Sequence, residues 1–447
     1  MPRKKRVTRK SKDVVLSTRR PAPDLPLEVV SLIMEEFDEW SERETLKACS
    51  LVSWVWKQAA QPRIFTHIEI TNGVQCKFWS KKIKEFPHLG PYVKKLSLSD
   101  PDDDCMGRPY LRGRAAKTLL SSLTSLRRLE LDDFKRWGPV EQRLVKGLRT
   151  VQSLRVDEIP GMSRSRDLPD LYYTLSNVED FTPGEVGEEY DETKVGPIRE
   201  SGIALRGRLP EGGKARNLRE LVLFDAQIGI DKLMWLTGPA FDLSTLRHLS
   251  LSWGDFFALE TVPYFTALDD LLRLVGEHVE DLHLDIPLPF FYDEIFEPIL
   301  LTSNPLDLLS THFSHCGPLR SFTALKRVTF ATDIEECSIS LALNTMLGIL
   351  KTLAAPHLEV IGLETGLFAP CFQIESALGE IADWKALDDL VVGKSFPSLR
   401  SLIFRINMRP YVTSRHWETT RDIIQTSLPS AFSKDLLRLY VSSDTFE

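Results

Sequence analysis

The chain lacks the patterns that mark secreted, membrane-spanning and many catalytic proteins. Its six cysteines form no Cys-x-x-Cys pair, which is typical of reduced thiols in the cytosol or nucleus. No apolar run approaches the ~18 residues of a membrane span, and the N-terminus has no apolar signal core. The phosphate-binding loop, the nucleophile elbow and the dinucleotide fingerprint are also missing. These absences favour a non-catalytic intracellular protein that uses no cofactor.

Two groups of candidate metal ligands do not complete a site. His312, His315 and Cys316 in THFSHC could supply three ligands, but no distant pair completes a tetrahedral zinc set. Asp102–Asp104 lacks the Asp-x-Asp-x-Asp-Gly spacing of a calcium loop and fits a solvated acidic turn. We therefore expect no metal.

The sequence does contain one short phrase that occurs eleven times after residue 90. Each copy has an aliphatic residue, two variable residues, an apolar residue, one variable residue and another apolar residue. Because side chains alternate along a strand, the fourth and sixth residues of a copy should point into one core. Successive copies start 25 to 46 residues apart, at Val93, Leu126, Val151, Val178, Leu218, Leu246, Val279, Leu325, Leu358, Leu399 and Leu436.

Helical patterns lie between the copies. Residues 114–125, 269–278 and 343–356 carry apolar residues at helical spacing. A unit of helix and strand that cannot bury its apolar face alone predicts an α/β solenoid with one parallel sheet. The phrase resembles the L-x-x-L-x-L strand of leucine-rich repeats in a divergent, long form. A doubly wound α/β sheet is the alternative fold.

Two further features belong to this repeat region. Phe65–Ile70 fits the strand phrase again, 28 residues before Val93, and predicts a first rung. The spacing is interrupted near 183–217 by a segment rich in glycine and charge, which we interpret as an insertion loop. Disorder and contact with a substrate are the two alternatives for that loop.

Charge is distributed unevenly along the chain. Residues 1–20 hold nine lysines and arginines against Asp13 alone, whereas the whole chain carries −7, so the remainder carries −15. We expect a disordered basic tail, because it has almost nothing apolar to bury. Arg3–Arg6 is typical of a nuclear localisation signal, and a solvated tail without a receptor is the alternative. The acidic remainder argues against nucleic acid as the main partner.

Residues 21–64 differ from the repeats and predict three short helices. Pro26 suits a helix start, and Ser41 with Glu44 predicts a capping box for the second helix. The third helix is expected to stop before Pro62. About 40 residues are few for an independent core, so this segment should need a partner or the following body to complete it.

These residues resemble the F-box, in the form common in fungal F-box proteins. The matching segments are Leu25-Pro26-x-Glu28-Val29, residues 46–53 (LKACSLVS), Trp56 and residues 63–65 (RIF). The resemblance departs at Trp54 and Val55, where many members have arginine or lysine. A helical cap on the solenoid, without F-box function, is the alternative.

The resemblance implies a substrate-recognition subunit of a Skp–cullin–F-box ubiquitin ligase, located in the nucleus, the cytoplasm or both. Such a subunit is not itself an enzyme; it binds a Skp-family adaptor, and through it cullin, and holds a protein substrate. A repeat scaffold that uses the adaptor outside ubiquitylation is the alternative. By the resemblance, the residues that face or support the adaptor are Leu25, Pro26, Val29, Ile33, Leu51, Val52 and Trp56.

A substrate is expected on the concave side of the sheet, where the variable residues of the phrase project. The central column should contain the fifth residue of each copy, ending at Tyr440. The candidate residues for this substrate face are Arg128, Glu130, Arg155, Phe224, His283, Arg405 and Tyr440.

Overall fold

The computed structural model describes residues 25–37, 42–100, 110–134, 137–157, 171–172, 175, 177–183, 216–223, 233, 235–238, 241–252, 262–285, 312–313, 317–334, 339–367, 383–408 and 414–442. The chain divides into two compact units between His67 and Ile68. The predicted basic tail and most of the insertion, residues 184–215, lie outside the described residues.

Three helices form the N-terminal unit: α1 (Leu27–Glu35), α2 (Arg43–Cys49) and α3 (Trp54–Ile64). One core joins all three helices, because each contributes apolar residues to it. Its buried members are Val30, Met34, Leu46, Ala59, Ala60 and Ile64. Ile33, Phe37, Cys49, Val55, Trp56 and Phe65 pack around this cluster.

The boundaries of α2 and α3 differ in part from the predicted ones. α2 begins at Arg43, and Ser41, the predicted cap, lies outside the described residues. α3 does not stop before Pro62 but continues to Ile64. Proline removes one helical hydrogen bond, yet Ile64 is buried in the core and Arg63 donates to the carbonyl of Phe37 at 2.9 Å. These contacts offset the lost bond.

Every predicted strand phrase, the one at Phe65–Ile70 included, supplies one strand of a single twelve-stranded sheet. Its strands are β1 (His67–Ile70), β2 (Lys95–Asp100), β3 (Arg128–Phe134), β4 (Ser153–Val156), β5 (Asp180–Pro183), β7 (Glu220–Leu223), β9 (His248–Ser252), β10 (Asp281–Asp285), β11 (Arg327–Ile334), β12 (Val360–Leu367), β13 (Ser401–Met408) and β14 (Leu437–Ser442). From β2 to β14, neighbouring strands are parallel. A separate parallel pair consists of β6 (Arg216–Asn217) and β8 (Phe241–Asp242).

The twelve strands follow one another in the sheet in the order of the chain. A doubly wound sheet would instead reverse its strand order at a switch point. The alternative fold is therefore excluded, and the prediction of a helix and strand repeat with one parallel sheet is confirmed.

Helices lie between many of the strands, and the three predicted helical segments overlap α5 (Arg114–Ser122), α7 (Val262–Val275) and α8 (Ile339–Thr352). Their apolar stripes are buried, as at Leu119 and Leu120 in α5 and at Leu271 and Leu272 in α7. Among the described residues of this unit, the α-helices with assigned bounds are α4 (Gly73–Glu85), α5 (Arg114–Ser122), α6 (Pro139–Val145), α7 (Val262–Val275), α8 (Ile339–Thr352), α9 (Trp384–Val392), α10 (Ser414–Ser427) and α11 (Pro429–Ser433).

The fourth and sixth residues of the phrase form the core of the sheet, as predicted. Leu129 pairs with Leu96 on one side and with Leu154 on the other, and all three are fully buried. Further along, Leu282 pairs with Leu249 and with Val328. Each rung therefore buries its apolar residues against those of its neighbours.

A repeated pair of main-chain hydrogen bonds, which we call the carbonyl ladder, connects neighbouring rungs. The carbonyl oxygen of Lys94 accepts hydrogen bonds from two successive amides, those of Arg127 (2.8 Å) and Arg128 (2.9 Å). The second residue of the following copies does the same toward the next copy, at Arg127, Gln152, Glu179, Arg219, Arg247, Glu280, Lys326 and Glu359. One phrase residue thus bridges two rungs through main-chain atoms alone.

The last copy enters the sheet two residues earlier than the phrase predicts. Leu402 pairs with Leu437 and Phe404 with Leu439, so Leu437, not Leu439, occupies the fourth position. Two frames are possible: the phrase predicts one that starts at Leu436, and the structure has one whose first position is the exposed Lys434. The turn after α11 decides between them, because Asp435 adopts a left-handed φ of 57° and Leu436 donates to the carbonyl of Ala431 at 3.0 Å.

Candidate functional site

α1 carries apolar residues on its outer side as well as in the core. Val29 and Leu32, three residues apart, share one stripe of the helix and are exposed, while Val30 and Met34 are buried. Pro26 precedes the helix with φ −53°, and its carbonyl accepts the amide of Val30 at 3.1 Å. The helix therefore presents two apolar faces, and only one of them is packed.

The turn between α2 and α3 and the first residue of α3 expose three large apolar side chains. The fractional exposure is 87% for Leu51, 66% for Val52 and 67% for Trp54. The turn is ordered by its backbone, since Leu51 donates to Ala48 (3.0 Å) and Val52 to Cys49 (3.1 Å). Exposed apolar side chains that cluster in one small unit mark an interaction site more often than isolated ones do.

The seven residues that the F-box resemblance assigns to the adaptor have two different environments. Leu25, Pro26, Val29, Leu51 and Val52 are exposed. Ile33 and Trp56 are half-buried and pack against the core of the three helices. The first five are thus accessible to a partner, and the last two support the helices that carry them.

Sequence reasoning missed three exposed members of this group. Leu27, Leu32 and Trp54 are exposed, and Trp54 stands where many F-box proteins have a basic residue. The sequence could have indicated them, because an apolar residue outside the buried stripe of an amphipathic helix does not pack in the core. We call the complete group the exposed apolar set: Leu25, Leu27, Val29, Leu32, Leu51, Val52 and Trp54.

On the face of the sheet opposite to the core, Glu130 is the centre of a charge cluster. Its Oε1 lies 3.0 Å from Lys95 Nζ and 3.0 Å from Arg128 Nε, and Ser97 donates to its Oε2 at 2.6 Å. Burial favours a higher pKa for Glu130, but the hydrogen bonds from Ser97 and Lys95 and the charges of Lys95 and Arg128 outweigh it, so the pKa is lowered. The carboxylate stays ionised and holds three strand residues together.

Other residues of the predicted substrate face are distributed along the sheet. Arg155 pairs with Asp157 at 2.8 Å, and Arg405 pairs with Glu364 at 2.8 Å. His283 is half-buried, in register with Ser250 and Thr329. Phe224 lies outside the described residues.

The place of Tyr440 in this face differs from the prediction. Because the last strand enters two residues earlier, Tyr440 pairs with Arg405, and Arg438 lies opposite Ile403 in the central column. Tyr440 is exposed. The outward column next to the central one therefore ends with Glu364, Arg405 and Tyr440.

Acidic groups elsewhere on this face are less well compensated. The pKa of Asp180 is raised, first by burial and then by the charges of Glu220 and Glu179. Burial also raises the pKa of Asp285, although Ser252 donates a hydrogen bond to its carboxylate at 2.8 Å. The outer face therefore holds one carboxylate whose pKa is lowered, Glu130, and two whose pKa is raised, Asp180 and Asp285.

The candidate metal ligands do not assemble in the described part of the chain. There, no group of three or more histidine, cysteine, aspartate or glutamate side chains is placed to hold an ion. His312 Nε2 lies 2.8 Å from Asp269 Oδ1, whereas His315, Cys316 and Asp102–Asp104 lie outside the described residues. Within the same ranges, none of the helices has the length and apolar character needed to cross a bilayer.

No protein-family model matches the sequence, and no curated protein matches it either. Among solved structures, a chain of the crystal structure of the Rad7 and Elc1 complex in yeast is similar to this protein over 87% of this chain and 91% of that chain. The sequence identity is 12% and the TM-score is 0.31. These values are too low to transfer a function from that complex.

Proposed function

We propose that the chain is the substrate-recognition subunit of a Skp–cullin–F-box ubiquitin ligase. The N-terminal unit would bind a Skp-family adaptor, and the adaptor would connect the chain to cullin. One observation carries the proposal: the three helices close a core of their own, yet they leave the exposed apolar set in water. A helical cap that only protected the repeats would have no reason to display these side chains.

The energetics favour a protein partner for this set. Fully burying an exposed leucine or valine side chain contributes about 1.5–3 kcal/mol. The seven side chains are 40% to 87% exposed, so only part of that free energy is still unused in the free chain. Interfaces gain most of their affinity from a few apolar and aromatic anchors. Leu51, Val52 and Trp54 have the exposure that such anchors need before a partner binds.

The repeats would hold the substrate on the polar face of the sheet. The ion pairs of Glu130 and Glu364 keep charged side chains in fixed positions there, which suits recognition of a polar protein surface. The contribution of such a subunit is proximity, since it raises the local concentration of a substrate lysine near the conjugating enzyme. The chain itself would perform no catalysis.

For localisation we propose the nucleus, the cytoplasm or both, with Arg3–Arg6 as the nuclear signal. Deleting residues 1–12 should then shift the protein to the cytoplasm without changing its melting temperature. Unchanged localisation would leave the tail without a targeting role.

Co-purification of the tagged full chain tests the main proposal. The wild-type chain should retain a Skp-family adaptor and cullin, and Leu51→Ala with Val52→Ala should lose both. Leu274→Ala is the matched control, because Leu274 is an exposed leucine in α7. Recovery of the adaptor without cullin would support a scaffold outside ubiquitylation. Absence of the adaptor under conditions that retain it on known F-box proteins would refute both functions.

A further inference from the structure

Helix α4 is firmly anchored at its start. The Asn72 side chain accepts the amides of Val74 and Gln75, both at 3.0 Å, and Gln75 Oε1 accepts the amide of Thr71 at 2.8 Å. This is a reciprocal cap of the capping-box kind. The side chains of α4 are therefore displayed on a rigid helix, not on a fraying end.

The inner and outer sides of α4 are both partly apolar. Cys76 and Ile83 are buried, and burial raises the pKa of the Cys76 thiol to about 11. On the outer side Val74 is 77% exposed and Phe78 is 52% exposed, four residues apart on one stripe. Phe86, directly after the helix, is exposed as well. Packing within the repeat unit accounts for the apolar residues on the inner side of α4 but not for the exposed ones on its outer side.

Lysine side chains flank this outer stripe. The Lys82 ammonium lies 5.9 Å from the ring centre of Phe78 and 5.4 Å from that of Phe86, which is cation–π geometry. On a helical projection, Lys77, Lys81 and Lys84 lie on the other side of Val74 and Phe78. We call this surface the α4 basic–aromatic face: Val74, Lys77, Phe78, Lys81, Lys82 and Phe86.

Within the described residues, the helix that packs against α4 adds positive charge. α5 packs against α4 and contributes two exposed cations, Arg114 and Lys117. The sequences of α4 and α5 contain six basic residues and one acidic residue, Glu85, which lies 3.8 Å from Lys81. This cluster stands out in a chain whose net charge is −7.

We propose that the α4 basic–aromatic face binds a short acidic segment of a partner protein, one that also carries an aliphatic or aromatic side chain. The acidic residues would meet the lysines, and the apolar side chain would lie between Val74 and Phe78. The inference goes beyond the proposed function and does not depend on it, because α4 belongs to the repeat unit and the exposed apolar set belongs to the N-terminal unit.

Charge distribution favours a short acidic peptide over a membrane or a nucleic acid. Salt screens charges beyond about 8 Å at physiological ionic strength, so a short segment senses mainly the cations next to it. An anionic bilayer or a long polynucleotide would also face the acidic remainder of the chain. A helix of 13 residues is about 20 Å long, and about six extended residues cover that distance.

Fluorescence anisotropy with the full chain tests the proposal. The probe is a fluorescein-labelled peptide of about twelve residues, mostly glutamate and glycine, with two leucines near its centre. We expect saturable binding that weakens as salt is raised. Phe78→Ala should weaken it about five- to tenfold, since anchor side chains dominate such contacts, and Lys82→Ala should weaken it several-fold.

Two controls distinguish specific binding of the peptide from nonspecific binding. Phe432→Ala removes a phenylalanine with the same 52% exposure, in α11, and should leave binding unchanged. A peptide with lysine in place of glutamate should not bind. Absence of saturable binding, or equal losses in Phe78→Ala and Phe432→Ala, would overturn the proposal. So would tighter binding to phosphatidylserine-containing vesicles or to single-stranded oligodeoxythymidylate than to the peptide.

Discussion

The Oδ1 atom of Asp388 accepts a hydrogen bond from the backbone amide of Ala431 at 2.8 Å, although 43 residues separate them. Its other carboxylate oxygen accepts the amide of Ser430 at 3.0 Å. Asp388 is buried in α9, and both amides belong to the first turn of α11. A helix offers no internal partner to these amides, so one carboxylate on a neighbouring helix satisfies them.

Replacing Asp388 with alanine should therefore destabilise the C-terminal rungs. One buried and one half-buried amide would lose their carboxylate acceptor, at a cost of about 2 kcal/mol. Urea denaturation of the full chain, followed by tryptophan fluorescence, measures this change. Asp389→Ala is the control, because Asp389 is exposed on the same helix; a similar loss in both variants would contradict the capping role.

Two leucine substitutions test the register of the sheet. Leu129→Ala removes a fully buried side chain and should cost about 2–5 kcal/mol through transfer and cavity terms. In the last strand, Leu437→Ala should cost more than Leu439→Ala, because Leu437 is buried and Leu439 is half-buried. The opposite order in thermal melts would restore the frame that the phrase alone predicts.

The carboxylate of Glu130 should stabilise the fold only above acidic pH. Its pKa is lowered in the folded chain, so its contribution is complete above the ordinary glutamate value of about 4.3 and is lost as the pH falls through the folded value. Glu130→Gln should cost about 1–3 kcal/mol at neutral pH. Melting temperatures of both proteins should converge in acid; a constant difference would argue against this ionisation.

Ionisation of Asp180 should have the opposite effect on the stability of the fold. Because its pKa is raised in the folded chain, the ionised form lowers stability, and this penalty grows as the pH rises above the unfolded value of about 3.9. Asp180→Asn should therefore raise the melting temperature at neutral pH and have little effect at the lowest pH. A drop in melting temperature at neutral pH would show that hydrogen bonds of the carboxylate outweigh its burial.

Docking and folding of the N-terminal unit should be separable by mutation. Met34→Ala empties a fully buried position and should cost about 2–5 kcal/mol in that unit, with faster hydrogen exchange across residues 27–64. Leu51→Ala with Val52→Ala should leave exchange unchanged, because both side chains are exposed. If the second variant also accelerates exchange, the two residues are structural.

The repeat could be predicted from the sequence because its signal is local and redundant. The fourth and sixth residues, such as Leu129 and Leu131, are apolar in almost every copy, and strand periodicity alone assigns them to the core. The frame of the last strand was predicted wrongly, because Leu436 fits the first position of the phrase and Lys434, which takes that position in the structure, does not. A backbone turn at Asp435 makes that choice, and turn geometry leaves little trace in apolar patterns.

The candidate sites were less predictable than the fold. The F-box resemblance predicts that Leu51, Val52, Ile33 and Trp56 face or support the adaptor without saying which residue does which. Only the packing shows that Ile33 and Trp56 lie against the core, whereas Leu51 and Val52 are exposed. Exposure of Leu32 and Trp54 depends on how the three helices meet. The charge cluster around Glu130 depends on strand register, which no single copy of the phrase contains.

The carbonyl ladder has a consequence for the connections between rungs. Each junction between rungs relies on main-chain atoms, so it makes few demands on which side chain occupies the second position or on the length of the connecting segment. The copies accordingly begin 25 to 46 residues apart, while the same pair of main-chain hydrogen bonds recurs at nine junctions, from Lys94 to Glu359.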